Sequence, residues 1–415
     1  MGNRRGNEGS GRTRLFKERV VLTQLRRLGQ ASKTELAEAT GISLQTVVDI
    51  VNGLSAEGLV SKLGRRIGKV GQPSILYAIN PSGVYGLGLH VRRAVQELVL
   101  VDFEGKIRKR LRSEDDFPRL DNVLQLLSSG LKTFGSEDTT LTRISGVGVA
   151  LSYDLWYRPD RRGLPAEILA EWDERDIAAE IKAATGLSVF VENDTRVAAV
   201  AEYLLGGAQD FHNFLYVVIG SHISGALVLG GSLETGAHGN AGTLGAIPVG
   251  PSRLAHSELS PAYNDFLGNR ASLTGLMRYL RLHGFTIHAV SELPDVLDQA
   301  RGLVQDWLND CVAALVEGLT ACFAVIDVEA VLIDSLLPQF LVMEIADKLE
   351  RRLRAAAPPG LVVPRLMLST LGSDAALLGS ALLPINAHFL PGRVASDPES
   401  RMASPRQPPP KKPRH

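Results

Sequence analysis

Ser32-Lys33-Thr34-Glu35-Leu36-Ala37-Glu38-Ala39-Thr40-Gly41-Ile42-Ser43-Leu44-Gln45-Thr46-Val47-Val48-Asp49-Ile50-Val51-Asn52 reads as two short helices joined by a tight turn. Its first four residues are a capping box, in which the Ser32 hydroxyl accepts the Glu35 N–H and the Glu35 carboxylate reaches back to the Ser32 N–H. A helix therefore starts there and runs to about residue 40. Gly41 suits the positive φ of the turn, and Ser43 can cap a second helix beginning at Leu44. In that helix Val47, Ile50, Val51 and Leu54 recur at i, i+3, i+4, i+7 and make one buried stripe. The opposite face carries Gln45, Thr46, Asp49 and Asn52 behind the Ser43 cap. Short-chained near its N-terminus and free of bulky charge, it can enter a major groove, where Gln pairs with the N6 and N7 edge of adenine.

Two short apolar runs follow, at 59–63 and 75–79, around Gly64-Arg65-Arg66-Ile67-Gly68-Lys69-Val70-Gly71-Gln72-Pro73. The pattern is a β-hairpin with a basic, Gly-rich tip. Beside a groove-reading helix, Arg65, Arg66 and Lys69 would meet phosphates or the minor groove, fixing register and adding affinity more than base choice. Residues 13–80 thus read as a winged helix-turn-helix domain; a helical hairpin followed by a solvated basic loop is the plainer alternative. Charge agrees with the first reading. Residues 1–80 hold 13 Lys and Arg against 6 Asp and Glu, whereas residues 81–385 hold 26 against 37, although the whole chain is neutral at 45 against 45. A basic module on an acidic body suits a DNA binder with a separate sensing or assembly domain, because phosphate repels the body.

A chain of 415 residues with 45% hydrophobic and 22% charged content has room for two or three globular domains. No uninterrupted apolar run reaches about 18 residues, and the basic start at Arg4 and Arg5 lacks a following signal-peptide core, so no membrane is expected and the location is taken as cytoplasmic. Cys311 and Cys322 are too few and wrongly spaced for a disulfide framework or a zinc site, and read as buried core thiols. Residues 1–12 are expected to form a disordered basic arm, and 386–415 a disordered, basic, Pro-rich tail. Asn80-Pro81-Ser82-Gly83 marks the boundary to the body at 81–385. There, strands are expected at 84–91, 95–102 and 106–112, a helix at 120–134, and strands at 144–151 and 189–191. A helix at 195–205, a hairpin at 214–219 and 225–229, a helical region at 272–323, strands at 331–333 and 362–368, and a helix at 373–383 complete the order. A meander followed by alternating helices and strands, repeated once, gives two similar α/β lobes with a cleft between them.

On these residues the chain resembles the ROK family, which groups sugar kinases with sugar-responsive transcriptional repressors on an actin-like, ribonuclease H-like two-lobe α/β fold. The resemblance spans about residues 15–384. It is carried by Val191-Glu192-Asn193-Asp194, by Gly220-Ser221-His222-Ile223-Ser224-Gly225 and by Gly236-Ala237-His238-Gly239-Asn240-Ala241-Gly242, with weaker matches at Gly146-Val147-Gly148-Val149-Ala150 and Leu371-Gly372-Ser373-Asp374-Ala375-Ala376-Leu377-Leu378-Gly379. A winged helix-turn-helix in front is the arrangement of the family's repressor branch.

Several departures from the family pattern bear on activity. Where family kinases carry D-x-G-x-T to hold phosphate, this chain has His90-Val91-Arg92-Arg93-Ala94, losing both the carboxylate and the Gly that lets backbone approach a phosphate. The second phosphate loop is altered at Gly220-Ser221-His222-Ile223-Ser224-Gly225-Ala226. Thr243-Leu244-Gly245-Ala246 stands where E-x-G-H would supply a sugar-gripping Glu and a zinc-binding His, and residues 251–267 contain no Cys, so no zinc site is implied and His256 reads as a surface residue. Of the family's sugar contacts Asn193 and Asp194 persist. In a kinase that Asp would be the general base; in a repressor it can hydrogen-bond a polyol. Both residues also suit the cap of the helix that follows. The turn after the Gly146 strand is Ser152-Tyr153-Asp154 instead of Pro-Gly, and Trp156, Tyr157 and Trp172 could stack on a sugar ring or sit in the core. The wing returns through Gly71-Gln72-Pro73 in place of G-R-P, so Gln72 brings a donor to the minor groove without a charge.

The expectation is therefore a non-enzymatic, cofactor-free transcriptional regulator that binds a double-stranded DNA operator as a homodimer or homotetramer and senses a sugar or polyol. A sugar kinase with an appended DNA module and a ligand-independent regulator are the alternatives.

Overall fold

The computed structural model describes residues 5–66, 74–115, 117–135, 142–152, 165–254, 266–287 and 292–390. Helix α1 (Arg5–Leu28) begins inside the stretch expected to be a disordered arm. Val21, Leu22 and Leu25 anchor its later turns in the core, and a helix once nucleated gains one backbone hydrogen bond per added residue, so it propagates back through the Gly- and Asn-containing start. The capping box then opens α2 (Lys33–Thr40), and Gly41 ends it at φ 67. Ser43 caps α3 (Leu44–Ala56), whose buried residues are Val47, Ile50, Val51 and Leu54. Strands β1 (Val60–Arg66) and β2 (Ser74–Ile79) pair antiparallel, with Val60 opposite Ile79. The hairpin tip, which includes Lys69 and Gln72, lies outside the described residues.

The body repeats one topology twice. In the first lobe β3 (Tyr85–Val91), β4 (Val95–Asp102) and β5 (Ile107–Glu114) form a meander, followed by α4 (Leu120–Phe134), β6 (Ile144–Leu151), α5 (Ala166–Glu174), α6 (Ile177–Thr185) and β7 (Val189–Asn193). The sheet order is β5-β4-β3-β6-β7, and β6 and β7 run parallel to β3. Helix α7 (Asp194–Leu204) leads to the second lobe, which opens with a second meander, β8 (Phe214–Ile219), β9 (Ile223–Leu229) and β10 (Ser232–Glu234). Helices α8 (Leu267–Arg270), α9 (Leu273–Leu282), α10 (Leu293–Leu297) and α11 (Arg301–Val325) precede β11 (Ala330–Ser335), α12 (Gln339–Ala356), β12 (Arg365–Leu368) and α13 (Ala375–Phe389). The second sheet runs β10-β9-β8-β11-β12, with β11 parallel to both β8 and β12. Helix α11 is long and apolar enough to cross a membrane by length and composition; its Trp307, Leu308, Cys311, Leu315 and Leu319 form the second lobe's core.

Strand periodicity divides the first sheet between two environments. Leu87, Leu89 and Val91 of β3 pack with Val123 and Leu127 of α4 and Ile181 of α6, so Gly86, Gly88 and His90 point the other way. On that face α13 lies directly on the sheet backbone: a Cβ on Gly148 would sit 1.8 Å from the Ser380 carbonyl oxygen, and one on Gly379 would sit 1.8 Å from the Val197 oxygen of α7. These glycines, which the sequence showed as family-motif residues within an expected strand and helix, are here the condition for helix-to-sheet contact. Helix α13 also continues past Pro384, where the expected helix stopped and near where the tail was placed. Ile385 is fully buried, and its burial offsets the one missing backbone hydrogen bond at the proline. The rest of the expected tail, from residue 391, lies outside the described residues.

The DNA-side module and the body share a core. Val21 and Leu25 of α1 and Val47 and Ile50 of α3 belong to the same buried cluster as Val101, Phe103, Leu378 and Ile385 of the body. Arg26 donates to the Phe103 carbonyl and stacks on its ring at 5.4 Å. Burial pushes the Arg26 guanidinium down to about 10, against the attraction of Asp102 and Glu104.

Candidate DNA-reading face and effector cleft

The face of α3 opposite its buried stripe is open to solvent, with Ser43, Gln45, Asp49 and Asn52 exposed and Thr46 half-buried. Ser43 Oγ accepts from the Thr46 N–H at 3.4 Å and lies 2.8 Å from its hydroxyl, so these two serve the cap first. Gln45 Nε2 donates to Asp49 Oδ1 at 3.3 Å, and Lys33 Nζ donates to Asn52 Oδ1 at 2.7 Å. All four contacts are at the surface and exchangeable for base edges or phosphate oxygens. Arg65 is exposed on β1, and Arg66 ends the same strand.

The cleft residues converge at the carboxyl ends of the parallel strands of the first sheet, where open α/β sheets bind ligands. Asn193 and Asp194 each divide their side-chain atoms between two tasks. Asn193 Oδ1 and Asp194 Oδ1 accept the Thr195 N–H at 3.1 and 2.7 Å and so cap α7. Asn193 Nδ2 is buried without a partner among the described residues, and Asp194 Oδ2 faces His90 Nε2 at 3.9 Å. Capping and ligand contact are thus not exclusive. His90 is 5% exposed, and its two ring nitrogens and the Ser152 hydroxyl are buried with no hydrogen-bond partner among the described residues. Buried polar atoms left unpaired in one place are the mark of ordered water or a polar ligand.

Arg196, unremarked in the sequence reading, closes the other side. It is 3% exposed, pairs with Glu192 at 3.2 Å, and donates to the carbonyls of Gly239 and Ala241 at 2.5 and 3.1 Å. Thr195 Oγ1 lies 2.6 Å from Ser224 Oγ, a second tie across the cleft. The space left among Asn193, Arg196, Ser224, Ala241 and Thr243 is about 10 Å³, on the order of what one water needs. A run of charged or polar residues one helical turn after Asn193-Asp194 was the available signal for this clamp, but its carbonyl partners are more than 40 residues away.

In both altered phosphate loops some of the backbone donors at the turn are bonded within the protein. The Arg92 N–H is bonded to the Val95 carbonyl at 3.0 Å, the Arg92 guanidinium turns back to Glu97, and Arg93 stacks on Phe117 at 5.6 Å. In the second loop the Gly220 and Gly225 N–H groups bond to the His222 and Gly242 carbonyls at 3.1 and 2.8 Å. Of its two alternatives Trp172 takes the core, and one cysteine departs from expectation. Trp172 donates from Nε1 to the Pro118 carbonyl at 2.7 Å and packs into the α4–α6 core, away from the cleft. Cys311 is buried, but Cys322 is only partly so. Trp156, Tyr157 and His256 lie outside the described residues.

Beneath the second sheet two buried acids are paired, while the Trp307 indole N–H has no hydrogen-bond partner among the described residues. The Glu202 carboxylate, fully buried, accepts from the Gly207, Thr370 and Leu371 N–H groups at 2.7, 2.7 and 2.8 Å. It also accepts from the Ser369 and Thr370 hydroxyls at 2.7 and 3.0 Å. Tyr216 donates to Asp334 at 2.7 Å; burial raises both the Tyr216 hydroxyl and the Asp334 carboxyl above their ordinary values.

Residues 88–387 match the ROK family. The chain belongs to the ROK family. Among solved structures the ROK body and its amino-terminal module together resemble a ROK family transcriptional regulator, a homologue of the Escherichia coli Mlc protein, with a TM-score of 0.67 at 20% identity over 91% of this chain and 97% of that one. A ROK hexokinase from Thermus thermophilus aligns with a TM-score of 0.57 at 23% identity, over 72% of this chain and 97% of the hexokinase. These likenesses establish the fold, an actin-like two-lobe body. The xylose repressor of Bacillus subtilis is 22% identical over 242 residues, which are 56% of this chain and 60% of the repressor. The alignment thus spans well under two thirds of that relative's length.

Proposed function

We propose that this ROK protein is a DNA-binding transcriptional regulator, a repressor, whose body senses a carbohydrate or related polyol and does not phosphorylate it. The observation that carries the reading is an exposed, capped recognition helix in front of a body whose first phosphate turn is His90-Val91-Arg92-Arg93, closed by the bond from the Arg92 N–H to the Val95 carbonyl. Ser43, Gln45, Thr46, Asp49 and Asn52 read the groove, with Arg65, Arg66, Lys69 and Gln72 on the wing. Asn193 and Asp194 anchor the effector through the atoms their capping role leaves over, joined by His90 and Ser152. A sugar that reaches between Asn193 and Arg196 must displace the Arg196 bridges, since the space there is about 10 Å³. The operator-bound form is taken to be a homodimer or homotetramer, with residues 13–80 as the DNA module and 81–390 as the sensing body. The kinase relatives share the body, and the lost carboxylate and Gly of the first phosphate turn, at His90-Val91-Arg92, favour the regulator.

The test is operator capture from genomic DNA followed by affinity measurement across salt. Affinity should fall steeply as salt rises, and Arg65→Ala should flatten the log–log slope by about one unit if it neutralises one phosphate. Affinity independent of salt, or sugar phosphate formed from ATP and magnesium, removes the proposal.

A further inference from the structure

A second cavity lies on the far side of the loop that Arg196 clamps. It measures about 230 Å³ and is walled by Leu215 and Leu227 of the second sheet and by Phe323, Ile326 and Val328 at the end of α11 and the turn after it. Asn240 and Thr243 supply the polar groups in its lining. The recess is open on one side, and an apolar space of about 150 Å³ is already enough to take up benzene. The walls are preformed. Gly242 has φ +83, and a Cβ there would lie 2.2 Å from the Gly225 oxygen. Its own carbonyl accepts from Gly225 and Leu244 at 2.8 and 2.7 Å, and Arg196 holds the same loop at Gly239 and Ala241.

We propose that this cavity is a ligand site distinct from the polyol cleft, for a small apolar molecule of aromatic-ring size carrying one hydroxyl or carbonyl. The ring fills the space between Leu227 and Phe323, and the single polar group meets Asn240 or Thr243. Nothing charged lines the cavity among the described residues, so an anion or a fully hydroxylated sugar would lose its hydration there without compensation.

Cys322 is part of the wall and reports on occupancy. Cys311 is buried, so in the folded protein N-ethylmaleimide reacts at Cys322, slowly, because burial raises that thiol above its ordinary value. Benzyl alcohol is the probe and glycerol the control. At about ten times its dissociation constant benzyl alcohol should slow Cys322 modification roughly ten-fold if only the empty form reacts, and glycerol should not slow it. Ile326→Phe, which fills the cavity, should abolish that protection while the protein still melts cooperatively; should it not fold, Val328→Ile narrows the same space by one methylene. A rate unaffected by benzyl alcohol, or equal protection in the filled variant, overturns the proposal. The assay contains neither DNA nor sugar, so its failure leaves the regulator reading untouched.

Discussion

The two lobes share one strand order, and Asp102 in the first is as well paired as Glu202 in the second, yet they differ at the carboxyl ends of their central strands. In the second lobe Glu202 and Asp334 accept hydrogen bonds from backbone and hydroxyl donors around them. In the first, His90, Ser152 and Asn193 keep buried polar atoms without partners among the described residues. A paired network specifies the fold, because each donor it satisfies would be costly to leave alone. An unpaired one costs stability until something fills it, which is the physical ground for the proposed effector site in the first lobe.

The comparison breaks most sharply at Glu202. Glu202→Ala leaves several buried donors unpaired, each worth roughly 1–3 kcal/mol, and should lower urea stability by at least about 3 kcal/mol; a loss under 1 kcal/mol would mean that the network is not structural. Asn193→Ala and Asp194→Ala should each cost about 0.5–2 kcal/mol through the lost cap. Asp194→Ala should in addition leave operator binding intact and remove sugar-induced release. Full inducibility at reduced stability would assign both residues to capping alone. His90→Leu should change the melting temperature little or raise it, since it deletes unpaired atoms, while weakening the response to effector; marked destabilisation would show that His90 is already satisfied.

The smallest effect concerns pH. The native Asp334 carboxyl titrates above its ordinary value through burial, so the folded state holds a proton that the unfolded state has released. Stability should then fall as pH rises from the ordinary aspartate value to the raised native one and be flat above it. Asp334→Asn should remove that slope in urea titrations at a series of pH values.

How much of this was legible depends on the distance between partners. The Ser32–Glu35 box, the Gly41 turn and the Val47–Ile50–Val51–Leu54 stripe are local signals, and they appear in the structure as read. The helix at Leu120–Phe134 and the strands at Val95–Asp102 and Phe214–Ile219 matched to the residue for the same reason. Gly148 and Gly379 were visible only as motif glycines, because the backbone each admits belongs to a segment remote in sequence. Arg196 could not be distinguished from a surface arginine until its carbonyl partners came into view. The unpaired state of His90 is equally non-local, depending on what α7 and α13 leave uncovered.

The core shared by α1, α3, Phe103 and α13 bears on how the molecule comes apart. A DNA-binding domain on a tether would melt in a transition of its own. Here, severing the chain near residue 80 would strip Val21, Leu25, Phe103 and Ile385 of their common packing, so the reading head and the sensor should unfold as one cooperative unit. Anything that tightens the body, a bound effector included, then also raises the melting temperature of the recognition helix, even with no DNA present.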